Sequence, residues 1–143
     1  MKQLLVALGV LWIGCAHEDV GASANPRSLY ERLGGKPAIS AVVDNFVGRL
    51  ALDDRINLRF ANTDIPHLRR MLVDQICQAS GGPCTYTGKA MKTVHRNLNI
   101  TDQEFDALVE DLLATLRELQ VGALEQSQLL SALGGLKPDI VGQ

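Results

Sequence analysis

Residues 101–119 have the sequence TDQEFDALVEDLLATLREL, the most regular helical pattern in the chain. Thr101 and Glu104 open this stretch and can form a capping box, in which each side chain accepts a hydrogen bond from the other residue's backbone. Apolar side chains then recur every three or four residues: Phe105, Leu108, Val109, Leu112, Leu113, Leu116 and Leu119. The stretch therefore predicts an amphipathic α-helix that buries one face.

Three other segments have the same periodicity, and no segment after Asn25 alternates convincingly as a β-strand does. The first follows a turn at Gly34–Gly35, the second can begin at the cap Asp64 with Pro66 in its first turn, and the last ends at Gly134–Gly135. Their apolar faces consist of Ala38, Val42, Phe46 and Leu50; of Leu68, Leu72 and Ile76; and of Leu124, Leu129, Leu130 and Leu133. The sequence therefore predicts an all-α domain with four main helices.

The composition bounds the class of protein. The chain has 143 residues, enough for one domain with a real core but not for two. Aromatic residues make up only 4%, so the core must consist mainly of Leu, Val, Ile and Ala. A net charge of −2 and the absence of a basic stripe argue against a nucleic-acid partner.

The N-terminus has the features of an export signal. Lys2 precedes eleven uncharged, mostly apolar residues, Leu4 to Gly14, and a polar run follows Cys15. Such a run is too short to span a bilayer as a helix, but it fits a secretory signal; a short buried helix is the alternative. We therefore expect an export signal at 1–15, a linker at 16–28 and the folded domain at 29–141, in the periplasm or cell envelope.

The cleavage site has two interpretations. Ile13-Gly14-Cys15 resembles a bacterial lipoprotein box, which would make Cys15 the lipidation site and a lipid anchor the only membrane contact. Trp12 stands where such boxes usually have leucine. An ordinary signal peptidase could instead act near Gly14-Cys15-Ala16 or at Ala22-Ser23-Ala24.

Export leaves two further cysteines, Cys77 and Cys84. In a continuous helix they would be roughly 10 Å apart, too far for a disulfide. Gly81-Gly82-Pro83 lies between them and can end the helix, so that the chain folds back. We expect a disulfide in the exported protein; two small buried apolar side chains are the alternative.

The stretch YTGKAMKTVH, Tyr86–His95, contains a histidine without a partner at metal-binding spacing. Zinc is disfavoured because Cys77 and Cys84 are not two to four residues apart and no histidine pair has helical spacing. Most isolated histidines are packed or surface side chains. A haem, however, could fill a core poor in aromatics, and its iron needs one protein nitrogen.

The chain resembles the group I truncated haemoglobins, short bacterial globins with a two-over-two helical sandwich. The resemblance runs from Leu29 to Val141 with little room for gaps. The matching pieces are LYERLGG (Leu29–Gly35), AVVDNF (Ala41–Phe46), RFANTD (Arg59–Asp64), GGP, YTG, MKTVH and ITDQEFDALV.

The resemblance implies a haem b cofactor (iron protoporphyrin IX) with His95 as the proximal iron ligand. Phe60 would wedge against the haem face, and Phe46 would lie on the helix above the ring. Around the haem it implies Met91 and Val94 on the proximal face, Phe105 and Val109 at the back, and Tyr86, Lys89, Lys92, Arg69 and Arg70 near the propionates. For each of these cations, a solvated surface charge is the alternative.

The distal side departs from the family pattern. Family members commonly have a tyrosine directly after the Phe46 position and a glutamine on the next helix, and both donate hydrogen bonds to dioxygen. The matching positions here are Val47, Leu68 and Leu72, with Ile76 deeper. None of these can donate a hydrogen bond, so we expect an apolar distal pocket. Bound dioxygen would lack a stabilising hydrogen bond there, whereas the binding of carbon monoxide and nitric oxide would be weakened less.

Four functions remain at this point. The first is a haem protein that binds the diatomic gases dioxygen, carbon monoxide and nitric oxide. The second is a nitric oxide dioxygenase or peroxidase-like enzyme, which needs a reductase or other electron donor. The third is a redox or sensor protein with six-coordinate iron, for which Met71 or His67 could supply the internal ligand. The fourth is a helical interaction lipoprotein without a cofactor.

Overall fold

The computed structural model describes residues 27–143. The export signal expected at 1–15, its lipidation site Cys15 and most of the expected linker lie outside these residues. The described helices fall within the domain expected at 29–141. They are α1 (Leu29–Arg32), α2 (Gly35–Leu50), α3 (Ile65–Ala79), α4 (Met91–Val94), α5 (Asp102–Glu118) and α6 (Ala123–Gly134), with 3₁₀ turns at Asn57–Phe60 and Lys137–Asp139.

The helices begin where their capping residues stand. The Asp64 side chain accepts a hydrogen bond of 2.9 Å from the backbone of His67, and Pro66 lies in the first turn of α3. At α5 the Thr101 hydroxyl accepts from the Glu104 backbone at 3.2 Å, and the Glu104 carboxylate accepts from the Thr101 backbone at 2.9 Å. Both starts predicted from the sequence are confirmed.

Two helix pairs form the domain. Helix α2 packs against α3, and α5 packs against α6, while α2 also contacts α5 and α3 contacts α6. This is the predicted two-over-two arrangement, in which each amphipathic helix buries its apolar stripe against the other layer. The most deeply buried side chains are Ile39, Val43, Cys77, Leu116 and Leu129, together with Thr115.

Two leucines assigned to the apolar faces lie nearer the surface than expected. Helix α5 ends at Glu118, and the chain turns at Gln120 with φ +56°, which leaves Leu119 39% exposed. Leu124, in the first turn of α6, is 62% exposed. Periodicity could not show where each helix leaves the core, because this depends on the neighbouring layer.

The end of α3 folds back as predicted. Gly81 has φ +81°, and the backbone N–H of Gly82 donates to the Cys77 carbonyl at 2.8 Å. A Cβ at Gly82 would lie 2.7 Å from the sulfur of Cys77, so only glycine fits there. The turn brings the Cα atoms of Cys77 and Cys84 to 5.7 Å, within disulfide range.

Within residues 27–143, no helix combines the length and apolar character needed to cross a bilayer.

One carboxylate is buried on the α2–α5 side of the domain. Asp111, on α5, is only 8% exposed, and its Oδ2 has no hydrogen-bond partner among the described residues. It borders an open surface pocket together with Asp53 and Arg49. Desolvation and, next, the negative charge of Asp53 raise the pKa of Asp111.

We predict that Asp111→Asn increases the free energy of unfolding at pH 7 by about 1 kcal/mol, because the variant no longer buries an unpaired charge. The native pKa lies above the unfolded value near 3.8, so wild-type stability falls as the pH rises through this interval. The advantage of the variant should therefore shrink at pH 4. Urea unfolding at both pH values measures this.

Asp106→Asn is the matched control, since Asp106 is an exposed carboxylate on the same helix that pairs with Lys137 at 3.1 Å. Its effect should stay within about 0.5 kcal/mol. A variant Asp111→Asn that is less stable than wild type at pH 7 would contradict the prediction.

Candidate functional site

A largely apolar cavity of about 530 Å³ lies between α3, α5 and α6, with α4 and the turn Asn57–Phe60 completing its wall. This volume is typical of a site that encloses a small-molecule ligand. The cavity brings together these residues predicted from the sequence: Phe46, Phe60, Leu68, Leu72, Ile76, Tyr86, Met91, Val94, His95, Phe105 and Val109.

Val47 is the predicted pocket residue that the described cavity wall does not include. It is 5% exposed and packs in the helical core, whereas its neighbour Phe46 reaches the wall. Successive residues of an α-helix point about 100° apart, so the side chains of Phe46 and Val47 lie on different faces of α2. Val47 therefore belongs to the buried core and not to the described cavity wall.

His95 is held by the helix that precedes it. It is the residue after α4, and its backbone N–H donates to the Met91 carbonyl at 3.0 Å. Its ring Nδ1 lies 2.8 Å from the same carbonyl oxygen. A carbonyl can only accept, so we assign the proton to Nδ1, which leaves the lone pair of Nε2 available to a metal ion.

One face of α3 forms the opposite wall. Leu68, Met71, Leu72 and Gln75 follow one another at helical spacing, and all four border the cavity. Leu68 and Leu72 are the apolar side chains predicted there. Gln75 was missed, although it stands three residues after Leu72; its Nε2 donates to the Met91 sulfur at 3.5 Å.

Histidine His67 lies at the edge of the cavity wall and is exposed, with Nδ1 3.5 Å from the guanidinium of Arg70. Thr63 and Asp64 border the same edge. These groups make that rim polar, whereas the wall formed by Leu68 and Leu72 is apolar.

Of the five polar residues expected near the propionates, Tyr86 and Lys89 border the cavity. The Tyr86 hydroxyl donates to the Lys89 carbonyl at 3.0 Å, and partial burial raises the pKa of this phenol. Arg69 instead pairs with Asp44 on α2 at 3.3 Å. Arg70 approaches His67, and the described wall does not include Arg69, Arg70 or Lys92.

An ion pair borders another part of the cavity. The Nε and Nη2 atoms of Arg59 donate to the two carboxylate oxygens of Glu104 at 2.6 and 3.0 Å, and Nη1 donates to the Leu98 carbonyl at 2.9 Å. Arg59 lowers the pKa of Glu104 to about 2. The sequence contained one signal for this pair, since each member directly precedes a predicted cavity phenylalanine, Phe60 or Phe105.

Several apolar wall residues were also missed. They come from distant segments, and their periodicity marks them as buried without showing whether they face the core or the cavity. They are Leu50, Ile56, Leu108, Leu112, Leu130, Leu133, Leu136 and Ile140.

Comparison with known proteins identifies the family. A family model for bacterial-like globins matches residues 28–141. The chain belongs to this globin family. The globin fold is that of haem proteins, and the cavity agrees with it, since the apolar wall suits a macrocycle and Nε2 of His95 is a suitable donor for iron.

Curated relatives agree with this assignment. The chain is 34% identical over 118 residues to the group 1 truncated hemoglobin of Tetrahymena pyriformis, covering 82% of this globin and 98% of the relative. It is 35% identical over 117 residues to that of Mycolicibacterium paratuberculosis, with coverages of 82% and 86%. A Synechocystis relative is 40% identical over 98 residues, with coverages of 66% and 79%.

Solved structures confirm the fold. The Fe(III) form of Tetrahymena pyriformis truncated hemoglobin superposes with a TM-score of 0.79 at 33% identity, covering 82% of this globin and 100% of that chain. The cyanomet 2/2 hemoglobin of a Synechococcus species, which has covalently attached heme, gives 0.77 at 32% identity with the same coverages. The predicted truncated-globin fold is therefore confirmed.

Proposed function

We propose that this globin binds haem b through His95 and takes diatomic gases on the side of the haem that faces α3. The observation that carries the proposal is the 2.8 Å contact between Nδ1 of His95 and the Met91 carbonyl, because it presents an unprotonated Nε2 at an apolar cavity. When bound, haem supplies the iron atom to which a gas can bind.

The side chains around His95 suit the macrocycle. Phe60, Phe46 and Phe105 offer aromatic surface, and Met91 and Val94 offer apolar surface next to the histidine. Lys89 borders the cavity and is the cation we assign to a propionate, whereas Arg69 is engaged by Asp44. Burial of these apolar side chains against the ring would supply most of the affinity for haem.

His95→Ala should abolish tight haem retention, or leave haem that added imidazole rescues, because the variant removes the imidazole that we assign to the iron. The absorption spectra of the oxidised and dithionite-reduced proteins measure this. His67→Ala is the matched control, and its spectra should resemble those of the wild type. Full haem content with an unchanged ferrous spectrum in His95→Ala would refute the assignment.

The wall formed by α3 governs the choice of gas. Leu68, Leu72 and Ile76 cannot donate a hydrogen bond to a ligand, and the Gln75 amide is directed to the Met91 sulfur. Dioxygen at a ferrous haem carries partial negative charge and is stabilised by a donor by about 1.5–3 kcal/mol. We therefore infer rapid release of dioxygen and comparatively firm retention of carbon monoxide.

Leu72→Gln should slow dioxygen release by about tenfold or more, because it adds one charge-assisted hydrogen bond. Release of carbon monoxide should change much less, because that ligand offers a donor little negative charge. Stopped-flow dissociation of both gases measures the effect. Leu72 is a better position than Val47, since Leu72 lies on the cavity wall.

Leu72→Met is the control for this experiment, since it keeps the volume similar without adding a donor. Slow dioxygen release from the wild type would mean that a polar group acts in the pocket. Gln75→Leu would then identify Gln75, as opposed to a water held by His67 or Arg70, as the source.

A redox or sensor role is the second candidate. The position of Met71 favours it, since this residue lies on the same face of α3 as Leu68 and Leu72 and borders the cavity. Thioether sulfur is a known axial ligand of haem iron. The ferrous wild-type spectrum separates the two functions, since a six-coordinate pattern supports internal ligation and a five-coordinate pattern supports gas binding.

We also propose that the protein is exported, with a lipid anchor on Cys15, and that Cys77 and Cys84 then form a disulfide. The apolar N-terminal run supports export, and the 5.7 Å between the Cα atoms of the two cysteines supports the disulfide. Outside the cytoplasm, an enzymatic role would depend on a reductase or another electron donor in the same compartment.

Peptide mapping without reductant, on protein recovered from the cell envelope, should give one linked peptide pair containing Cys77 and Cys84. The loop closed is short, so the disulfide should stabilise the fold by only about 2–3 kcal/mol by the chain-entropy estimate. Two freely alkylated thiols in that protein would rule out the disulfide.

A further inference from the structure

We propose that Arg59 is a positioning residue for the proximal side of the cavity, because it ties the loop after His95 to the turn that carries Phe60. The inference rests on the proposed binding of haem through His95. Arg59 does this without contacting the imidazole, through one main-chain carbonyl and one carboxylate.

Three segments meet at the Arg59 guanidinium. Arg59 itself lies in the 3₁₀ turn Asn57–Phe60, directly before Phe60. Its Nη1 donates to the carbonyl of Leu98, three residues after His95, at 2.9 Å. Its other two contacts reach Glu104, the capping-box residue of α5 that directly precedes Phe105. The guanidinium thus joins the neighbours of two cavity phenylalanines to the histidine loop.

The loop from His95 to Thr101 needs such external contacts. Asn97 and Asn99 have φ values of +65° and +50°, a left-handed conformation that is uncommon outside glycine and that asparagine tolerates better than most residues. Such residues persist where surrounding contacts hold them. At its far end the loop is held by the C-terminal segment, where the Asn99 N–H donates to the Gln143 carbonyl at 2.8 Å and the Gly142 N–H donates to the Ile100 carbonyl at 2.9 Å.

Arg59 holds the near end of the loop, next to the histidine. Without this contact the Leu98 carbonyl would lose its partner, and the Phe60 and Phe105 walls would lose the bridge between their neighbours. The imidazole would then be presented over a wider range of orientations, and the cavity would open more readily toward this side. Both changes weaken the retention of haem rather than the fold as a whole.

The expected size of the effect follows from the geometry. Exposed ion pairs usually contribute little, and the Arg59 side chain is 38% exposed. This pair, however, is bidentate, the Glu104 side chain is only 19% exposed, and a main-chain acceptor adds a third contact. We expect haem loss to be faster by about three- to tenfold when the guanidinium is removed.

The experiment compares Arg59→Gln with Arg55→Gln in the haem-loaded protein. Arg55 is the control because it also forms surface ion pairs, with the carboxylates of Asp53 and Glu110, but is not part of the described cavity wall. Two readouts are used: haem transfer to excess apomyoglobin, and the iron–histidine stretching band in the resonance Raman spectrum of the ferrous protein. Arg59→Lys keeps the positive charge but cannot form the bidentate contact of a guanidinium, so it should be intermediate in both haem loss and the iron–histidine band.

The proposal expects faster haem loss and a shifted or broadened iron–histidine band in Arg59→Gln, with Arg55→Gln within twofold of wild type and an unchanged band. The proposal would be overturned if the two substitutions had equal effects. It would also be overturned if Arg59→Gln lost haem at the wild-type rate and kept the wild-type iron–histidine band. If Arg59→Gln does not fold, the same comparison between Arg59→Lys and wild type decides. A wild type that binds no haem through His95 would instead overturn the proposed function.

Discussion

The hydrogen bond between Nδ1 of His95 and the main-chain carbonyl of Met91 is the contact on which the proposed binding of haem through His95 depends. That carbonyl accepts from the backbone N–H of His95 at 3.0 Å as well, since a carbonyl oxygen has two lone pairs and can accept from two donors. Accepting from the ring, it fixes the tautomer and the ring orientation together. The loop that follows contains two left-handed asparagines, Asn97 and Asn99, and its Leu98 carbonyl accepts from Arg59.

Apolar and charged side chains border different parts of the cavity. The wall formed by α3 presents Leu68, Leu72 and Ile76, whereas Lys89 and the Arg59–Glu104 pair border other parts of the cavity. This arrangement suits a large ligand with an apolar body and charged substituents. The apolar body can be buried against the leucines, while the charged substituents stay near water. On the α3 wall, Leu68, Leu72 and Ile76 offer a small ligand no hydrogen-bond donor, and the Gln75 amide donates to the Met91 sulfur.

Much of the site could be predicted from the sequence, since His95, Phe60, Phe105 and the α3 leucines stand in recognisable segments. The differences between the predicted residues and the described cavity wall have physical causes. Val47 follows Phe46 directly, and the 100° between successive helical residues turns it into the core. Gln75 and Arg59 are polar, and whether a polar side chain faces a cavity depends on what packs beside it rather than on periodicity.

The four main helices, the caps Asp64 and Thr101, and the fold-back between Cys77 and Cys84 could be predicted from the sequence alone, because each depends on residues a few positions apart. The sequence also determined the family, through segments spread along residues 28–141. Only the tertiary structure decided which apolar faces pack together and which are left to surround a cavity. The packing of α2 and α3 against α5 and α6 decides this. Where side chains from these distant segments meet, they form the core, and where they do not meet, they surround the cavity.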